Sequence, residues 1–297
     1  MPPAGEQDAP IAPGLYLVAT PIGNLEDITL RALRILRSVD RIACEDTRQT
    51  QKLLNHFGIT TPTVSYHLHN EGPRAEELLA QLKQGARIAV VSDAGTPGIA
   101  DPGHEIATVA IAAGIDVFSI PGANAAINAL VASGLSTESF TFHGFLPAKE
   151  GQRRTALEQL PYDNATHIFY EAPHRILDTL SDLEAVFGPA QTAVIARELT
   201  KLHEEFLRGT VQALRTQLAS RASVRGEIVL LFAPVQREAA TPAQSIAHEV
   251  QTLMQSEALS EKDALKRVAR ERGIGKSEAY REFQREQNRR ATPTKNR

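Results

Sequence analysis

Short apolar runs at Leu15–Ala19, Arg41–Cys44, Ile88–Val91 and Ile115–Ile120 alternate with segments whose apolar positions recur at helical spacing. The helical set is Ile28, Ala32, Leu33, Ile35 and Leu36, then Leu53, Leu54 and Phe57, then Leu78, Leu79 and Leu82. Brief buried strands separated by amphipathic helices predict βα units and a mostly parallel sheet. A second alternation follows, with strands at Ser139–His143, Thr166–Tyr170, Gln191–Ala196 and Glu227–Phe232, and helices over about 174–187 and 210–219. A strand-like stretch, Glu204–Gly209, lies between two of these, so the second sheet is expected to be mixed.

Beyond an Ala/Thr/Pro-rich stretch at 239–243 the pattern becomes purely helical. Ser260-Glu-Lys-Asp263 has the form of a capping box, Gly273-Ile-Gly275 breaks the helix it starts, and Ser277 is placed to cap the next. The chain therefore divides into a disordered leader (1–13), an N-terminal α/β domain (14–136), a C-terminal α/β domain (137–236), a linker (237–245), a basic helical module (246–290) and a tail (291–297). Two α/β domains in series make the cleft between them the default site. The helical module is either a helix-turn-helix element or a plain helical hairpin packed on the body.

Composition, 42% hydrophobic and 23% charged, is that of an ordinary globular protein. The first residues have neither a basic segment nor an apolar one of the kind that directs secretion, which points to the cytosol. The single Cys44 permits no internal disulfide. Net charge is −3, unevenly spread: residues 262–297 hold twelve basic and five acidic groups, leaving twenty basic and thirty acidic in residues 1–261. An acidic body with a basic end suggests that the end meets a polyanion.

The chemistry starts with what the loops lack. The first strand runs into Ala19-Thr-Pro-Ile-Gly-Asn-Leu25, where a dinucleotide-binding fold would carry three glycines, and no phosphate-binding loop of the G-x-x-x-x-G-K-[ST] type occurs. Residues 92–103, SDAGTPGIADPG, and 120–126, IPGANAA, are nevertheless ligand-binding loops in composition, bent open by Gly and pinned by Pro. S-adenosylmethionine, which has no phosphate, fits both observations. Glu45-Asp46-Thr47-Arg48 follows a strand and is either part of the functional edge or a helix cap with a local Asp–Arg pair. His67 and His69 alternate on a short strand, but no third ligand is placed to make a metal site.

The ordered segments GLYLVATPIGNLEDITLRA, CEDTR, SDAGTPGIADPG, IPGANAAINAL, FYEAPHRI, ARELTKLHEEFLRGT and RGEIVLLF resemble the tetrapyrrole-methylase superfamily over residues 14–233. Within it the chain resembles the branch that methylates the ribose 2′-hydroxyl of a cytidine in small-subunit ribosomal RNA. The resemblance implies two unlike α/β domains of class III methyltransferase type, S-adenosylmethionine held between them, no metal, and a homodimer acting on ribosomal RNA or the small subunit. It assigns the cofactor to Pro21, Gly23, Ser92, Asp93, Ala94, Ala123, Asn124, Ala125, Glu171, Ala172, Ala196 and Arg197. Ser92-Asp93-Ala94 stands where tetrapyrrole-modifying relatives have Gly-Asp-Pro.

For such a transfer Glu45, Asp46 and Lys201 are the candidate proton acceptors. Arg175 and the basic set Lys262, Lys266, Arg267, Arg270 and Lys276 are the candidate RNA contacts. Two other readings stay open: a small-molecule methyltransferase acting on a tetrapyrrole, and a DNA-binding regulator whose body senses a metabolite.

Overall fold

The computed structural model describes residues 11–67, 70–161, 165–233, 245–257, 259–271, 279–281 and 283–284. They fall into two compact units divided after Val235. The leader and linker, except residues 11–13 and 245, lie outside the described residues, as do His69, the Gly273–Gly275 break, Lys276, Ser277 and the tail.

The first unit holds two sheets. The first is wholly parallel, in the order β3-β2-β4-β1-β5, with β1 at Gly14–Val18, β2 at Arg41–Cys44, β3 at Thr63–Ser65, β4 at Arg87–Val91 and β5 at Val117–Ile120. Its central strands β1, β2 and β4 are buried on both faces, as helices on both sides require. Tyr16, Val18, Ile42, Cys44, Ala89 and Val91 point to one side, where they pack with α1 (Leu30–Ser38) and α2 (Thr47–His56). Leu15, Ala43, Ile88 and Val90 point to the other, against α3 (Glu71–Lys83) and α4 (His104–Ala112).

Next in sequence is α5 (Ala125–Ser133), capped by the Asn124 side chain and ended by Gly134 at φ +84°. Its apolar residues Ala126, Ala129 and Leu130 pack on Ile168, Val194, Ala196, Val229 and Leu231 of the second sheet. In packing, α5 is therefore part of the second half, although it precedes the expected border near 136.

The second sheet is mixed, in the order β6-β7-β10-β8-β9: β6 Phe140–Phe145, β7 Thr166–Glu171, β8 Thr192–Arg197, β9 Glu205–Thr210 and β10 Ile228–Phe232. β6 and β7 are parallel, and the other three pairings are antiparallel. On the side away from α5 lie α6 (Glu150–Glu158), α7 (Ile176–Phe187) and α8 (Val211–Ala219), joined to the sheet by a core around Phe169, Leu180, Ile195 and Phe232. Arg153 and Asp182 are buried together in this layer at 2.6 Å, and Arg154 reaches the other Asp182 oxygen at 2.7 Å.

The second unit has α9 (Ile246–Glu257) and α10 (Glu261–Glu271) packed through Ile246, Val250, Leu265 and Val268, with Ala279 and Phe283. The Ser260 hydroxyl accepts from Asp263 N and donates to the Asp263 carboxylate, so the predicted cap is formed. Lys262, Lys266, Arg267 and Arg270 are exposed on α10. Lys266 pairs with Asp263 at 3.3 Å.

Candidate active site

All five strands of a parallel sheet end on the same edge, and there loops carry the functional groups. Here the loops after β1, β2, β4 and β5 meet the end of β7, the start of β10 and the turn 198–201 around a cavity of about 490 Å³. That volume lies in the range of about 300–1,000 Å³ usual for small-molecule sites.

The loop 92–103 forms much of the wall. Thr20 and Gly95 exchange two backbone hydrogen bonds, at 2.9 and 3.1 Å, tying it to the loop after β1. Thr96 Oγ1 donates to Ala123 O at 3.2 Å, tying it to the loop before α5. Gly95 sits at φ +83°, and a Cβ there would stand 3.2 Å from Ile22, so glycine serves both backbone and packing. Ala100 takes φ +60°, a left-handed conformation unfavourable for a side chain, immediately before Asp101.

The lining contains Glu45, Asp93, Asp101, Glu171 and Glu227, and no lysine, arginine or histidine. Ile22, Ile99, Leu199, Ile228 and Val229 supply apolar surface, and Tyr170 an aromatic ring. Burial first, and then the neighbouring carboxylates Asp93 and Asp46, raise the Glu45 pKa. Burial likewise, then Glu45 and Asp93, push Asp101 up to about 6. Close like charges disfavour ionisation of one another. The cavity thus carries crowded negative charge that a cation would relieve.

Seven of the candidate residues line the cavity: Glu45, Asp93, Ala94, Asn124, Ala125, Glu171 and Ala172. Pro21, Gly23, Ser92 and Ala123 stand directly beside lining residues in the chain but do not line the cavity themselves. Ser92 Oγ donates within its own loop, to Ala94 O and Gly95 O, both at 3.2 Å. Gly23 lies beneath the Lys201 stem, where a Cβ would come within 2.5 Å of it.

Five candidates are placed otherwise than expected. Asp46 caps α2, accepting from Arg48 N at 2.8 Å, and its two oxygens take the Arg48 guanidinium at 3.1 and 2.8 Å. Those bonds hold its pKa down at about 2, which makes it a weak proton acceptor. Lys201 Nζ bonds Glu198 at 2.9 Å and Glu227 at 2.8 Å. Burial alone would lower its pKa, but the two carboxylates outweigh it and raise the value, keeping the ammonium protonated. Such a group cannot take a proton.

Arg175 donates from Nε and a terminal nitrogen to buried Glu171, at 2.9 and 2.6 Å, and is therefore spent on an internal pair rather than free for phosphate. Arg197 turns to Glu205 at 3.0 Å, across the β8–β9 ladder, while Ala196 is buried against α5. Neither lines the cavity.

Sequence reading missed Asp101, Tyr170, Leu199 and Glu227. Asp101 had a signal, since it belongs to the same Gly/Pro-rich loop as Asp93. Glu227 lies in the segment RGEIVLLF, but its place at the cavity follows only from the pairing of β10 beside β7, which brings it to this edge.

Residues 14–215 match the family model described as Tetrapyrrole (Corrin/Porphyrin) Methylases. The chain is 50% identical over 275 residues to the ribosomal RNA small subunit methyltransferase I of Halalkalibacterium halodurans, covering 90% of this chain and 93% of that one. It is 47% identical over 268 residues to the protein of the same name from a Synechocystis species, covering 90% and 95%.

Among solved structures, uroporphyrin-III-C-methyltransferase from Thermus thermophilus superposes with a TM-score of 0.52 at 21% identity, over 75% of this chain and 94% of that one. A diphthine synthase superposes at 0.57 and 16%, over 74% and 89%. At those identities the structures establish a shared fold, the paired unlike α/β halves of class III methyltransferases. Fold, motifs and relatives agree: the chain belongs to the tetrapyrrole methylase family, in the group of ribosomal RNA small subunit methyltransferase I.

Proposed function

We propose that this methyltransferase modifies the ribose 2′-hydroxyl of a cytidine in small-subunit ribosomal RNA. When bound, S-adenosylmethionine supplies a methyl carbon on a positively charged sulfur, to which the ribose oxygen bonds as the carbon–sulfur pair leaves with the sulfur. The observation that carries the reading is the cavity lining: Glu45, Asp93 and Asp101 have no ion-pair partner among the described residues, while Glu171 and Glu227 are already paired with Arg175 and Lys201 behind the wall. Such a wall repels phosphates and suits a ligand bearing a sulfonium and an ammonium. Asp93 and Asp101 would face those charges, and Ile22, Leu199, Ile228 and Val229 would cover the apolar parts.

The remaining task is to orient the hydroxyl and accept its proton. Glu45 is the acceptor among the three candidates, because Asp46 is committed to Arg48 and Lys201 is already protonated. Burial, and then the neighbouring Asp93, raise the pKa of Glu45, which makes it a better proton acceptor than an exposed carboxylate. Most of the rate should nonetheless come from positioning, since the transfer is an in-line displacement. A nucleotide reacting in a cavity between the two α/β halves would leave its stack.

The RNA reading is supported by relatives that match over nearly their whole length, beyond the span of the family model. The test is to incubate the protein with isotope-labelled S-adenosylmethionine and unmodified small-subunit particles, then map the methylated ribose. Label on one cytidine 2′-oxygen is expected. Label on a tetrapyrrole, with none on RNA at any stage of subunit assembly, would overturn the reading.

A further inference from the structure

The two helical layers of the first sheet differ in charge. α1 holds Arg31, Arg34 and Arg37 with no carboxylate, and α2 holds Arg48 and Lys52 with no carboxylate. On the opposite layer α3 carries Glu71, Glu76 and Glu77 against Arg74 and Lys83, and α4 adds Glu105. A merely solvated helix mixes its signs, as α3 does with Arg74–Glu77 and α6 with Glu150–Arg154. α1 and α2 do not, in a body where acids outnumber bases.

Most of these cations are available. Arg31, Arg37 and Lys52 are exposed, and among the described residues the side chains of Arg31 and Arg34 have no hydrogen-bond or ion-pair partner, whereas Arg48 is held by Asp46. Lys52 Nζ meets the neutral Gln49 side chain at 2.8 Å. Arg37 donates to Phe57 O at 2.9 Å, joining the end of α1 to the end of α2. Beside α2 a groove of about 450 Å³ runs toward edge strand β3, lined by Thr47, Arg48, Gln51, Lys52, Asn55 and Thr63. Every one of these side chains is polar and none is acidic.

Both helices lead away from the cavity rim: α2 follows Glu45, and α1 follows the loop that carries Ile22. We propose that the α1–α2 face is a platform for the sugar-phosphate backbone flanking the nucleotide in the cavity, an inference that rests on the RNA reading above. Acidic cavity and basic platform divide the work. Phosphates are held on the outer face by Arg31, Arg34 and Lys52, while the groove amides and hydroxyls meet ribose and phosphate oxygens. The carboxylates keep phosphate out of the reaction space, so that the nucleoside alone enters.

The test uses the full chain with Arg31→Glu and Lys52→Glu, alone and together, against Lys83→Glu on the opposite layer. Affinity for unmodified small-subunit RNA is measured across a salt series, S-adenosylmethionine affinity by calorimetry, and folding by thermal melting. The double variant is expected to lose about tenfold or more in RNA affinity and to flatten the salt dependence by roughly one to two phosphates' worth, with cofactor affinity and melting unchanged. Lys83→Glu should leave RNA binding alone. Platform variants that bind RNA no worse than Lys83→Glu would overturn the platform while leaving the RNA reading intact. A wild-type protein that neither binds nor methylates the RNA would overturn both.

Discussion

Asp101 is held near pH 6 by burial and by two neighbouring carboxylates, so its charge is adjustable in a way that an exposed carboxylate's is not. A positively charged ligand would stabilise the ionised form and pull this pKa back toward the ordinary range. Ligand affinity and proton release are therefore linked. Calorimetry should show the S-adenosylmethionine dissociation constant rising about tenfold between pH 7.5 and 5.0 if the bound carboxyl titrates near 4. Asp101→Asn should flatten that dependence. The sign reverses for the ligand-free fold: a raised carboxylate pKa makes the folded state a better proton binder, so this group's contribution is fully present below pH 4 and lost as pH rises through about 6.

Asp93→Ala, which also removes the acceptor for Asp46 N at 3.0 Å, should weaken cofactor binding by about 1–3 kcal/mol. Glu45→Gln should lower kcat by about 100-fold with a smaller change in cofactor affinity, whereas Asp46→Asn, which retains a capping side chain, should alter kcat little. The distinction between those neighbours was legible in principle. Asp before Thr at a helix start is a cap, which leaves Glu45 for chemistry. Arg197 was not legible, since its partner Glu205 lies eight residues on and meets it only when β8 and β9 pair.

At the scale of elements, the strand-to-helix junctions decide what the cavity sees. β7 ends in Glu171, whose carboxylate accepts from Ala172 N at 2.7 Å, from Arg175, and from Thr179 Oγ1 at 2.6 Å, which locks the junction into α7. Arg175→Ala would strand a buried carboxylate and should cost about 3–5 kcal/mol in chemical denaturation. RNA affinity of the protein that remains folded should not move. A matching loss of RNA binding would restore Arg175 as a phosphate contact. The apolar runs were sufficient to locate most strands because the central ones, β1, β2, β4, β7, β8 and β10, are largely buried. β3 was misplaced: the short strand expected at His67 and His69 lies at Thr63–Ser65, where it is half-buried, and His67 follows it. α5 was recognisable as a helix, but its allegiance to the second sheet was not, because sequence order records neighbours and not packing partners.

For the whole molecule, the two basic surfaces belong to separate compact units, with α1 and α2 in one and α10 in the other. Removing residues 241–297 should leave cofactor affinity nearly intact while weakening RNA binding. Loss of cofactor binding in calorimetry would mean that the helical unit supports the cavity. The placement of α5 also sets an order of events. Its apolar side is covered by strands that end at Phe232, a hundred residues after the helix itself is made. As the chain leaves the ribosome, the first sheet can close while Ala126, Ala129 and Leu130 still wait for their neighbours. A fragment stopped at residue 136 should bind an apolar dye and aggregate, and one reaching residue 233 should do neither. The cavity is then the last part of the body to come into being, so on the proposed reading the nascent chain stays unable to hold a methyl donor until both halves exist.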